Sequence, residues 1–176
     1  MPITIREAHD DEIEKLIPLL REAEPLERAL RWSLANLVDA VYRIDDAQKL
    51  IGVVTLQWRD EPAEIIDLAV HADRRGQGIG KKIIAWLLDE GRRRRKHEIL
   101  VGTANSSIDN IAFYQKCGFR IDHVRKDYFW YYEDPLFEHG IRVRDMLVFR
   151  VDLHAEPFEA QQRLRVVASP HFKQPS

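Results

Sequence analysis

The 176-residue chain has a single cysteine, Cys117, which excludes an internal disulfide framework and fits a reducing compartment. It also lacks any uninterrupted apolar run near the ~20 residues that a bilayer span requires. Its N-terminal stretch, MPITIREAHDDEIEK, has no apolar core of signal-peptide type. The expectation is a soluble, cytoplasmic protein with no membrane partner. An excess of one charge is missing too: 27 Lys and Arg against 29 Asp and Glu leave a net charge of -2. No global field therefore draws the chain to nucleic acid or anionic lipid, and no nucleic-acid partner is expected. The seven histidines show no ligand spacing such as H-x-x-x-H, so no metal is expected.

What is present reads as one mixed domain over 1–153, followed by a tail, 154–176, with three prolines and little periodicity. The alternation in ITIREA predicts a first strand, and Ile13, Leu16, Ile17 and Leu20 lie at helical spacing in DDEIEKLIPLLREAE. A second helix is expected near PLERALRWSLANLV. Strands follow in AVYRID and KLIGVVTLQWRD, joined by the turn-prone DDAQ, and in PAEIIDLAVHA. Ile79, Ile83, Ile84, Leu87 and Leu88 then stripe a helix that Gly91 should interrupt or end. EILVGTA is strand-like, and SIDNIAFYQKCGF is a helix with Ser106 and Asp109 as an approximate capping box and Gly118 past its end. RIDHVRKDYFWYY and IRVRDMLVFRVDL read as the last strands, around the irregular EDPLFEHG.

HADRRGQGIGKK, residues 71–82, carries the chemistry. A strand running through glycines into a helix exposes the first helical N–H groups, and here no Ser, Thr, Asn or Asp after Arg74 is placed to cap them, Asp73 being the one upstream candidate. Gly76, Gly78 and Gly80 allow close backbone approach. Lys81 and Lys82 fall in the first turn, where the macrodipole disfavours cations unless an anion is bound. The pattern describes a phosphate or pyrophosphate cradle flanked by Arg75 and Lys81. It is neither a Walker A loop, which would need Gly at Arg75 and Ser or Thr at Lys82, nor a dinucleotide fingerprint, which would need Gly at Lys81 or Ile83.

About twenty residues on, GTANSSIDNIAFYQKCGFR supplies a second element, and with it the chain resembles the GCN5-related N-acetyltransferase (GNAT) superfamily. That family's coenzyme motif, [Arg/Gln]-x-x-Gly-x-[Gly/Ala], is matched by Arg75, Gly78 and Gly80, and Tyr114 with KCGF matches its second coenzyme-binding segment. The stretches from GTANSSID to YQKCGFRI and on to HGIRVRDM look like a YvbK-like bacterial subgroup. The resemblance covers roughly residues 3–153. It implies an α/β (α+β) fold, a mixed, mostly antiparallel twisted sheet of about seven strands flanked by about four helices. It also implies transfer of acetyl from acetyl-coenzyme A, as cosubstrate, to a primary amine. The competing class is a non-catalytic acyl-coenzyme A sensor acting through a protein partner.

By the same resemblance the pantetheine arm pairs with backbone near Leu68 and Val70 where two strands splay, and the pyrophosphate meets the amides of Gln77, Gly78, Ile79, Gly80 and Lys81. Tyr114 is the expected proton donor to the leaving thiolate, with an aromatic packing role as its alternative. Glu64 is preferred as base by analogy with the family's acidic residue near this strand, with Asp67 the other carboxylate. Their odd separation puts them on opposite faces of a regular strand, so at most one faces the site. Asn105 and Asn110 are candidates for hydrogen bonds to the coenzyme, with loop and cap roles as alternatives. RRRRKH, 92–97, reads as a solvated helix end suited to the dipole. The aromatic run in DYFWYYEDPLFE either lines a pocket for a cationic amine or forms a sheet face or subunit interface, which is favoured and which leaves a homodimer as an open expectation.

Overall fold

A computed structural model describes residues 3–155. Its elements run β1 (Thr4–Glu7), α1 (Ile13–Leu20), α2 (Glu27–Asn36), β2 (Ala40–Asp46), β3 (Lys49–Gln57), β4 (Ala63–Val70), α3 (Ile79–Arg93), β5 (Glu98–Ala104) and α4 (Ile108–Lys116). They continue with β6 (Arg120–Arg125), β7 (Phe137–Glu138), β8 (Ile141–Arg142) and β9 (Met146–Asp152). Seven strands form one sheet in the order β1-β2-β3-β4-β5-β9-β6, and β7 and β8 make a separate hairpin. Every pairing in the large sheet is antiparallel except β4 with β5. Of the tail expected over 154–176, the part from 156 onward lies outside the described residues. Among the described residues no helix is long and apolar enough to cross a membrane.

The sheet divides the core in two. On one face α3 buries Ile79, Ile83, Ile84 and Leu87 against Val54, Leu56, Ile65 and Ile99. On the other, Leu16, Ile17 and Leu20 of α1 and Leu30 of α2 cover Val41, Val53 and Ala69. Each of these fully buried aliphatic side chains contributes about 1.5–3 kcal/mol, so the helices are fixed by their stripes rather than by intrinsic propensity.

Several local expectations are corrected. Gly91 does not break α3, which continues to Arg93; it is buried where a Cβ would lie 2.8 Å from Leu153 Cδ1 and 3.0 Å from Ile99 Cδ1. Glycine is there for close packing. Ser106 and Asp109 form no capping box: the residue before α4 is Ser107, and both serine hydroxyls donate to Glu138 Oε2, at 2.9 and 2.6 Å. The strand expected over RIDHVRKDYFWYY ends at Arg125, and the aromatic run is a turn. IRVRDMLVFRVDL divides between β8 and β9.

Candidate active site

The site begins with a parting of strands. β4 pairs with β5 only from Ala63 to Ile65, opposite Ile99 to Val101, and beyond that point the two separate. The odd-numbered amides of β4 turn the other way, Asp67 N–H donating to Thr55 Oγ1 at 3.0 Å and His71 N–H to the Ile51 carbonyl at 3.0 Å. The main-chain groups of Leu68 and Val70 therefore face the gap, since successive residues of a strand alternate their hydrogen-bonding edge. Arg75 Nε donates to the Val70 carbonyl at 3.0 Å.

A β-bulge reorganises the side chains of β4. Thr55 stands opposite Asp67 but Leu56 opposite Ile65, so Ile66 is an extra residue without a partner. The core confirms the change of parity: Ile65 and Leu68, an odd number apart, both pack on the α3 face, while Ala69 packs under α1. Glu64 and Asp67 consequently share the α1–α2 face, which corrects the expectation that they point opposite ways. Glu64 is bound to Arg125 by two contacts of 2.9 and 3.2 Å. Asp67, half-buried, receives only the Thr55 hydroxyl, at 3.0 Å, among the described residues. Burial pushes its carboxyl up to about 6, with the charge of Glu24 adding to the shift and the Thr55 hydrogen bond opposing it.

At the far end of β4 the chain passes through a 3-10 turn, Ala72–Arg74, into α3. Gly76 and Gly78 adopt φ of +74° and +75°, the left-handed region that L side chains rarely enter. Gly78 is the residue before α3 and no side chain caps the helix. Among the described residues, the N–H groups of Gln77, Gly78, Ile79, Gly80 and Lys81 have no acceptor, the first bond of this stretch being Lys82 N–H to the Gly78 carbonyl at 3.1 Å. The first turn carries no acidic residue, and Lys81 is exposed without an ion pair among the described residues. Gly80 has a packing role as well, because a Cβ there would meet Phe113 Cζ of α4 at 3.0 Å. The result is a row of donors at the positive end of a helix, an anion site in its geometry.

Tyr114 on α4 is 7% exposed and packs edge-on to Phe113 and Phe119, with ring centroids 5.1 and 5.9 Å away. Its hydroxyl has no hydrogen-bond partner among the described residues. Burial first, then the neighbouring Cys117 and Asp67, push the phenol above its ordinary pKa and keep it protonated.

A model described as "Acetyltransferase (GNAT) family" matches residues 5–119. The chain belongs to the GNAT family. A Bacillus subtilis (strain 168) protein, "Uncharacterized N-acetyltransferase YvbK", is 37% identical over 107 residues, spanning 60% of this chain and 69% of its own; it supports a YvbK-like subgroup. Among solved structures, an IAA acetyltransferase from Bacillus cereus has a TM-score of 0.76 at 32% identity, covering 86% of this chain and 99% of its own. A Bacillus subtilis acetyltransferase in complex with CoA has a TM-score of 0.77 at 30% identity, with the same coverages of 86% and 99%.

Other side chains of this acetyltransferase are occupied in ways its sequence did not reveal. Asn105 donates to the Arg142 carbonyl at 3.1 Å and accepts from the N–H of Arg144 and Asp145 at 2.9 and 3.0 Å. It clamps the chain between β8 and β9. Asn110 is exposed, with one contact of 3.4 Å to Thr103 Oγ1. Arg75 reaches Glu22 at 2.6 Å, tying the glycine loop to the segment after α1. The basic run is spent on the fold: Arg92 on Asp89 and the Leu153 carbonyl, Arg93 on Glu90, Arg94 on Glu90 and the Tyr42 hydroxyl. The aromatic turn docks through Tyr131 and Tyr132, whose hydroxyls donate to Glu24 at 3.0 and 2.6 Å. Trp130 at its tip is 82% exposed.

Proposed function

We propose that the protein transfers acetyl from acetyl-coenzyme A to a primary amine by direct attack in a ternary complex. One observation carries the reading: the row of amides from Gln77 to Lys81, unpartnered among the described residues, follows a strand whose edge opens beside it. A solved relative holding CoA supports the same ligand here. The pyrophosphate binds the amides of Gln77, Gly78, Ile79, Gly80 and Lys81, and the pantetheine arm completes the hydrogen bonding of Leu68 and Val70 in the gap. Asn110 contributes its exposed side chain, and Arg75 acts as a latch on the loop through Val70 and Glu22.

The amine nitrogen attacks the thioester carbonyl, whose oxygen gains charge and is steadied by the Val70 amide. The C–S bond then breaks, the sulfur leaves as thiolate, and the Tyr114 hydroxyl protonates it. Of the two acids on β4, Asp67 rather than Glu64 takes the amine's proton. Glu64 is held by Arg125, whereas Asp67 has no cationic partner among the described residues and, at about 6, is a stronger base than an ordinary carboxylate.

Calorimetric titration with acetyl-coenzyme A, followed by thiol release with a panel of primary amines, tests this. The reading requires binding and amine-dependent release. Binding with no amine-dependent release would favour the sensor alternative, and absence of binding would overturn both.

A further inference from the structure

Resting on that reading, we propose that the acceptor is a small aliphatic amine carrying a second positive charge. The second charge is held by Glu24 inside the tyrosines of the 128–132 turn while the reacting amine meets Asp67.

The argument starts from how the chain neutralises its carboxylates. Around α1, α2 and β4 they are matched to arginine: Glu12 to Arg6 and Arg43, Glu14 to Arg31, Glu22 to Arg75, Glu64 to Arg125. Of the partly buried carboxylates there, Glu24 and Asp67 have no basic partner among the described residues, while Asp10, Asp11 and Asp39, also unpaired, are exposed. Among the described residues Glu24 takes only neutral donors, the two tyrosine hydroxyls and the Leu26 N–H at 2.9 Å. Hydrogen bonds of that kind orient a carboxylate without cancelling its charge, and an uncompensated, partly desolvated charge is costly until a cation arrives.

The two carboxylates lie on one face: Glu24 follows α1, which covers Ala69 two residues from Asp67, and the half-buried Tyr128 packs 6.3 Å from Tyr131, which bonds Glu24. Rings beside a paired carboxylate site suit an alkylammonium, which gains from the aromatic faces as well as from the charge. An independent feature joins this cluster to the reaction. Tyr114, buried in the core cluster that Leu68 joins and with no partner for its hydroxyl among the described residues, lies on the α3 side of β4, across the strand from Asp67. An acceptor spanning Glu24 and Asp67 would thus present one nitrogen at the thioester and leave the other in the tyrosine collar. Arg28 fixes that collar from α2, donating to the Tyr131 carbonyl at 2.8 Å and pairing with Glu133 at 3.1 Å.

The test compares diaminopentane with aminopentanol, which differ in the second charge alone, by thiol release with the wild-type protein. We expect kcat/KM for the diamine to exceed that for the amino alcohol at least about tenfold, well beyond the twofold statistical advantage of two amines. In Glu24→Gln, which keeps an oxygen for both tyrosines, this ratio should fall toward two while acetyl-coenzyme A affinity is retained. A wild-type ratio near two, or a ratio unchanged in Glu24→Gln, overturns the proposal, and the wild-type comparison decides even if the variant misfolds. A higher kcat/KM for a lysine peptide of neutral sequence than for the diamine also overturns it. Turnover with neither amine, with coenzyme binding intact, overturns the diamine assignment alone, whereas loss of coenzyme binding removes the parent reading.

Discussion

Replacing Asp67 by Asn should stabilise the protein at neutral pH and leave it nearly unchanged in mild acid. Partly buried beside Thr55 and without a cationic partner among the described residues, Asp67 has its carboxyl raised to about 6 in the folded state, from roughly 3.9 in the unfolded chain. The folded protein therefore holds a proton that the unfolded chain has lost between those values, and stability falls as pH rises through the window from ~4 to ~6. The difference corresponds to about 3 kcal/mol, complete by about pH 7. Asn preserves the acceptor for the Thr55 hydroxyl but cannot ionise. Urea unfolding of both proteins at pH 4.5 and 7.5 isolates the effect, because other titrating groups are shared. We expect the stability of Asp67→Asn relative to wild type to increase by about 2 kcal/mol between the two pH values, or roughly 4–8 °C in Tm at this chain length. A relative change below ~0.5 kcal/mol would mean that Asp67 is solvated and paired in a way its surroundings do not suggest, and its assignment as base would fall with it.

Tyr114→Phe keeps the ring among Phe113 and Phe119 but removes the unpartnered hydroxyl, so turnover at saturating substrates should drop by roughly 10²-fold with coenzyme affinity unchanged; equal rates across pH would exclude it as the acid. Gly78→Ala, at φ +75° in otherwise open space, should cost about 1–2 kcal/mol of stability and weaken acetyl-coenzyme A binding at least about tenfold by calorimetry. Unchanged affinity would remove the cradle. Arg92, Arg93 and Arg94 changed together to Gln should leave turnover within a few-fold yet lower stability by about 1–3 kcal/mol, most of it from Arg94, which bonds Tyr42 and lies 5.1 Å over the Trp58 ring. A collapse of turnover in the folded triple variant would place the run in the site after all.

The parts of this molecule that were legible in advance are those written in periodicity. Ile79, Ile83, Ile84 and Leu87 announce α3, and the glycines at 76, 78 and 80 announce a helix start built from bare amides. What escaped was any feature that depends on a partner distant in sequence. Alternation assigns Glu64 and Asp67 to opposite faces only if the strand is regular, and the bulge is defined by the pairing of Thr55 and Leu56, not by β4's own residues. Glu24 looked like the end of α1, because nothing local indicates that its acceptors are reserved for tyrosines more than a hundred residues away. Asn105 was ambiguous for the same reason, its three bonds going to a loop near residue 142. In the aromatic run, residue preference favoured a strand, but Arg28 and Glu24 anchor it as a turn, an instance of tertiary contacts overriding propensity.

The unpaired Ile66 makes the length of β4 matter separately from its composition. Losing that one codon would alter no residue assigned a role, and it would leave every side chain of β4 on its present face, because Ile65 would then adjoin Asp67 in strict alternation. What would go is the bend and extra twist that the bulge puts into the strand just where it parts from β5. To a geneticist, a one-codon deletion here would read as a defect of the cleft with an intact core, while point substitutions at Ile66 itself would be far milder.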